Sequence, residues 1–164
     1  MPDTSTPAVP DAAANSSFDF YSLVLPTGEI LLNNQNDGNG AMVYTSGGGF
    51  QHEWMPKIKK VSNKLHPGIT YKLQGELLNG LSQGAAYGDD AQSATNYPLV
   101  RITNRATGHV FYARTHDHSS MAVGPETESS TQFDVPAGIE TGPSRLEVVT
   151  NGIPSDPVRV VVLP

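Results

Sequence analysis

The apolar residues of this chain fall into short runs that alternate with polar positions and are broken by Gly, Pro or Asn. Period-two spacing of this kind marks half-buried strands. The pattern begins at Phe18, where FDFYSLVLPTGEILLNN sets two apolar runs on either side of Pro26-Thr27-Gly28. Proline presets the backbone for a tight turn and glycine accepts a positive φ, so the segment predicts a β-hairpin. An Asn/Gly-rich loop, NNQNDGNG, leads to a short strand over residues 41–45 and then to the triple glycine Gly47-Gly48-Gly49. So few strands are marginal alone in water, and they are expected to pack on a larger unit.

That unit is predicted to begin near Pro56. PKIKKVSNKLHPGITYKLQGELL alternates through Ile58-Val61 and again through Ile69-Tyr71-Leu73, with a turn at His66-Pro67-Gly68. Further strands are predicted over residues 97–104, 109–115, 131–135, 145–150 and 158–163. Many short strands at regular spacing define an all-β sandwich. One connection is long: residues 79–96, NGLSQGAAYGDDAQSATN, have no period of 2 or 3.6. Connections beyond about 12–15 residues are often binding loops.

Composition sharpens this picture. With 16 Gly and 13 Pro among 164 residues, and only 16% charged residues, the chain is built for turns between short strands. Residues 1–17 hold one large aliphatic side chain, Val9, which is too little burial to offset ordering, and they are expected to form a flexible tail. The tail lacks a basic start and no apolar run approaches the roughly 20 residues of a membrane span, so neither a signal peptide nor an anchor is expected. A net charge of −6 disfavours nucleic acid and anionic membranes as partners; Lys57, Lys59 and Lys60 form the only basic cluster. The absence of cysteine excludes disulfides, thiolate metal sites and cysteine nucleophiles.

YSLVLPTGEILL, PKIKKVSNKLHPGITYKLQG and the closing FDVPAGIETGPSRLEVVTNGIPSDPVRVVV together resemble the C-terminal region of galactose oxidase-like and kelch β-propeller proteins. The resemblance covers roughly residues 18–163. It implies an immunoglobulin-like, early-set β-sandwich over residues 56–164, preceded by a β-hairpin extension over 18–55 that resembles a fragment of a propeller blade. In that family copper is held by two tyrosines and two histidines. The family's Tyr-His pair falls here at Phe20-Tyr21, without the histidine, while RTHDHSSMAVG corresponds to the loop that carries the other histidine, with His118, or else His116, at its position. The family's thioether cofactor needs a cysteine, which this chain lacks, so the resemblance implies ancestry without the complete oxidase chemistry.

The densest chemical cluster is Arg114-Thr115-His116-Asp117-His118. Residues two apart in an extended segment share a face, so both imidazoles can address one metal, with His109 or Asp90 as candidate further ligands. The alternative is a polar loop whose histidines bond to the backbone or to Asp117. In the long loop, Asp89 and Asp90 beside Tyr87 are candidate ligand-binding residues, for calcium or for a sugar, against a plain solvated turn. Tyr87, Tyr97, Tyr112 and Trp54 offer aromatic faces, although Tyr112 lies in a predicted strand and Trp54 sits in QHEWMPK, where it can wedge between the two units. No nucleophile elbow or phosphate loop is present. The expectation is a noncatalytic accessory or interaction module that binds protein or carbohydrate through its loops, with no cofactor. A degenerate or truncated copper-dependent oxidase is the alternative, and exposed hairpin edges make a homo-oligomer a further expectation.

Overall fold

The computed structural model describes residues 14–16, 19–36, 40–45, 47–82, 96–124 and 128–164. Most of the tail expected over 1–17 lies outside these residues. The first three strands, β1 (Phe20–Val24), β2 (Ile30–Asn34) and β3 (Ala41–Tyr44), form an antiparallel sheet in the order β1-β2-β3. The expected hairpin is therefore the first half of a three-stranded meander. Its turn is closed by Gly28 N–H donating to Leu25 O at 2.9 Å and Leu25 N–H donating to Glu29 O at 2.7 Å. Pro26 occupies the second turn position, and Gly28 takes φ +88°, which a side chain would resist.

A single turn of 3₁₀ helix, His52–Trp54, leads into ten more strands. These are β4 (Lys57–Lys60), β5 (Lys64–Leu65), β6 (Thr70–Glu76), β7 (Leu99–Asn104), β8 (Val110–Ala113), β9 (Thr115–His116), β10 (Glu128–Asp134), β11 (Gly142–Thr150), β12 (Ile153–Pro154) and β13 (Val158–Val162). One sheet runs β4-β6-β10-β9 and the other β5-β13-β11-β7-β8, with β12 paired to β11. In immunoglobulin lettering these are A-B-E-D and A′-G-F-C-C′. The first strand divides between the sheets: β4 is antiparallel to β6, while β5 is parallel to β13. The fold is thus an all-β, immunoglobulin-like sandwich with a meander at its N-terminal side.

Alternation explains the core. In β7 every second residue is buried, and Val100 and Ile102 join Leu73 and Phe133 from the opposite sheet and Leu146, Val148 and Val160 from their own in one cluster. Phe133 is fully buried, with its ring 6.0 Å from that of Tyr71. Burying each such Leu, Val or Phe contributes about 1.5–3 kcal/mol.

The strand expected over 109–115 divides in two. β8 belongs to one sheet and β9 to the other, and the chain crosses between them at Arg114, whose carbonyl accepts Asp134 N–H at 3.0 Å. Period-two alternation continues through the crossover, so the pattern alone does not mark it.

Antiparallel pairing of Lys57 with Glu76 puts the start of β4 at the end of the sandwich where the B–C, D–E and F–G loops emerge. The meander is delivered to that end. There its turn meets the F–G turn, and Leu23 to Pro26 line an apolar groove of ≈ 230 Å³ with Leu99 and Val149. Val149 pairs with Leu99 on the outward side of its sheet yet is only 2% exposed, because the meander turn lies over it.

Candidate functional site

The long B–C connection is closed at its base by a reciprocal amide clasp. Asn79 Nδ2 donates to Asn96 O at 2.9 Å, and Asn96 Nδ2 donates to Asn79 O at 2.7 Å and to Ser82 O at 2.8 Å. Thr150 Oγ1 ties the same base to the end of β11 by donating to Leu78 O at 2.6 Å. Both asparagines are buried, so these bonds satisfy amides that water cannot reach. The candidate residues Tyr87, Asp89 and Asp90 lie outside the described residues.

His116 and His118 emerge from the same segment but have different surroundings. His116, in β9 opposite Gln132, has Nε2 3.0 Å from Asp134 Oδ1 and Nδ1 3.0 Å from Asp117 Oδ2. A carboxylate at each nitrogen favours the charged ring: Asp134 first, then Asp117, raises its pKa. Thr70 Oγ1 donates to Asp134 at 2.6 Å and Gln132 Nε2 donates to Asp117 at 3.0 Å, so the carboxylates are themselves oriented. Thr70 and then His116 hold Asp134 below the usual carboxylate range.

His118 is driven the other way, by burial and then by the nearby charge of His116. Its ring stands edge-on to Tyr97, with centroids 5.7 Å apart and planes at 65°. Tyr97 is 57% exposed and overlooks the apolar groove under the meander turn, together with Leu23. His109 is not brought to this cluster. It lies at the opposite end of the sandwich, Nδ1 2.6 Å from Glu140 Oε1. Among the described residues, no three His, Asp or Glu side chains are grouped so as to hold a metal ion.

Beyond the groove, the junction opens into a cleft of ≈ 490 Å³ between the meander turn, the Gly48–Phe50 segment and Trp54 on one side and Arg101 and the F–G turn on the other. Trp54 also borders a smaller cavity of ≈ 250 Å³ beneath Gly80 and Leu81. It is half-buried there. Tyr112 lies on the outer sheet face beside Arg101, whose Nε and Nη2 reach Glu147 at 3.1 and 2.9 Å. Arg101 did not stand out in the sequence. The available signal was its alternation phase, which turns it outward from β7 at the register of Glu147.

No protein-family model and no curated protein matches the chain. Among solved structures it is similar to the filamin domain of Lin-41, at 10% identity and a TM-score of 0.35, covering 66% of this chain and 91% of that one. It is also similar to domains 4 and 5 of the S-layer protein SbsC, at 14% identity and a TM-score of 0.25, covering 92% of this chain and 78% of that one. The class of the fold is defined by the strand order described above, which stands without these likenesses.

Proposed function

We propose that this chain is a noncatalytic interaction module whose recognition surface is the end of the sandwich shared by the B–C, D–E and F–G loops and the meander. The observation that carries this reading is Tyr97, held edge-on by His118 and exposed above an apolar groove. Rigid, exposed aromatic rings over apolar clefts are favoured anchors in recognition because they bury large area at small entropic cost. Ionisable groups of the same sandwich are paired, His116 with Asp134 and Arg101 with Glu147. A protein or a glycan fits such a surface.

The test is site-specific photocrosslinking in the native source, with the reactive side chain at position 97 or at the exposed position 105 in the C–C′ turn of the opposite end. Partners captured from position 97 alone support the reading; equal capture from both positions refutes it.

A second reading is a truncated or degenerate copper-dependent oxidase. It is favoured by His118, which lies on the D–E loop at the meander end and has no hydrogen-bond partner among the described residues. Oxygen consumption with primary alcohols by the copper-loaded chain would establish it in place of the binding role.

A further inference from the structure

We infer that the cleft between the meander and the sandwich is a binding site for a neutral saccharide. The site adjoins the groove under Tyr97: both are lined by Pro26, Asn151 and Gly152, while Glu29, Trp54 and Arg101 line the cleft and not the groove, and Leu23, Tyr97 and Val149 the groove and not the cleft.

The cleft volume of ≈ 490 Å³ falls within the roughly 300–1,000 Å³ typical of small-ligand sites. Its walls combine two kinds of chemistry. Trp54, half-buried, and Phe50, 46% exposed, supply flat apolar faces. Polar groups come from Glu29 and Thr45 on the meander and from Arg101 across the cleft. Glu29 is already braced, its Oε2 accepting from Thr27 Oγ1 at 2.9 Å and its Oε1 from Thr45 Oγ1 at 3.4 Å, and a carboxylate accepts further bonds. Arg101 spends Nε and Nη2 on Glu147 and also bonds to Tyr112, and its five-donor fork has capacity beyond these partners.

The charged groups of the lining are Glu29 and Arg101, and the Arg101 charge is already met by Glu147, which leaves no unmatched cation to recognise a phosphate or a carboxylate. A pyranose presents what remains complementary: an apolar C–H face for an aromatic ring, and ring-edge hydroxyls that donate to Glu29 and accept from Arg101. The Gly48 and Gly49 positions have open space where a side chain would stand, so the approach on that wall is to bare backbone.

Trp54 is the only tryptophan and lines both this cleft and the smaller cavity beneath Gly80 and Leu81, so a change in its emission is assigned to the cleft by substitutions at Phe50 and Glu29, which line the cleft and not the cavity. The full chain is titrated with a panel of neutral sugars, namely glucose, galactose, mannose, N-acetylglucosamine and cellobiose. A saturable change in Trp54 emission with at least one of them is expected. Phe50→Ala, an exposed position whose loss spares the core, should weaken it about tenfold. Glu29→Gln should weaken it as well while leaving the thermal midpoint near that of the parent. No response to any sugar overturns the proposal, as does a response that survives both substitutions unchanged. Saturation by a proline-rich peptide in place of the sugars also overturns it. The cleft occupies a different part of the same end of the sandwich from Tyr97: Tyr97 lines the groove and not the cleft, and Trp54 the cleft and not the groove, so crosslinking at position 97 and Trp54 emission can fail separately.

Discussion

Gly28 and Gly152 meet backbone to backbone: a Cβ on Gly152 would lie 2.6 Å from the Gly28 Cα and 3.0 Å from Leu25 O. Both residues have positive φ, +88° and +74°. Gly152→Ala therefore faces strain and collision together and should cost about 1–3 kcal/mol. Urea unfolding followed by Trp54 emission will show an earlier transition, and an unchanged midpoint would mean that the two turns do not touch in solution.

Adjacent valines separate two layers of packing. Val148 points into the sandwich core, whereas Val149 points outward under the meander turn. Val149→Asp places a charge beneath Leu23–Pro26 and should release the meander. Hydrogen exchange should rise across residues 20–54 while β6, β7, β10 and β11 keep their protection. Loss of protection throughout would show that the two units fold as one.

The histidine cluster gives a pH dependence with a definite sign. Asp134 and Asp117 favour charged His116, so its stabilisation is complete below the unfolded value of about 6.5 and fades as pH rises through the raised folded value. Asp134, lowered by Thr70 and then His116, contributes above its unfolded value of about 4 and loses that contribution as pH falls through the lowered folded value. The β9–β10 edge is accordingly steadiest between about pH 4 and 6.5. His118 has the opposite sign: lowered by burial and then by His116, it is stabilising when neutral and loses that contribution as pH falls. Ring-proton NMR should find His116 titrating above its ordinary range and His118 below. His116→Gln should move His118 upward, since a positive neighbour is removed; a stationary His118 would break the coupling.

Copper held by this pair must displace Asp134 or Asp117 from a His116 nitrogen, since both nitrogens are engaged. Affinity for Cu(II) should then climb with pH as His116 gives up its proton, and fall sharply in His118→Ala. Calorimetric titration at pH 6 and pH 8 checks both points. Equal affinity in parent and variant removes the pair as a copper site.

The meander ends in two outer strands. β1 and β3 have no strand beyond them among the described residues, Val43 in β3 is 55% exposed, and the first 56 residues contain no Lys or Arg. Lysines are among the devices that keep strand edges from pairing with other chains. Light scattering across a concentration series should reveal self-association that Val43→Lys suppresses. A monomer at the highest concentration would show that these edges stay open.

Much of this was legible because it is local. Pro26 and Gly28 announce their turn, and the alternation through Leu73, Val100, Ile102 and Phe133 marks the core-facing positions. What escaped depends on distance or brevity. β5 and β9 have two residues each, too few to display a period, and β3 reads as a separate piece until its register with β2 is seen. His116 and Asp134 are eighteen positions apart, Arg101 and Glu147 forty-six, and no spacing rule joins them. Val149 illustrates the remaining difficulty: its burial is imposed by a segment more than a hundred residues earlier, so it interrupts the alternation of its own strand.

The clasp between Asn79 and Asn96 separates the frame of the domain from the content of its B–C loop. The bonds at the base run between the two asparagines, Ser82 and β11, so the two ends of the B–C connection are joined to each other and to the F strand by residues of the sandwich itself. A joint made of directional amide bonds fixes the separation of the two loop ends, where apolar packing alone would let them slide.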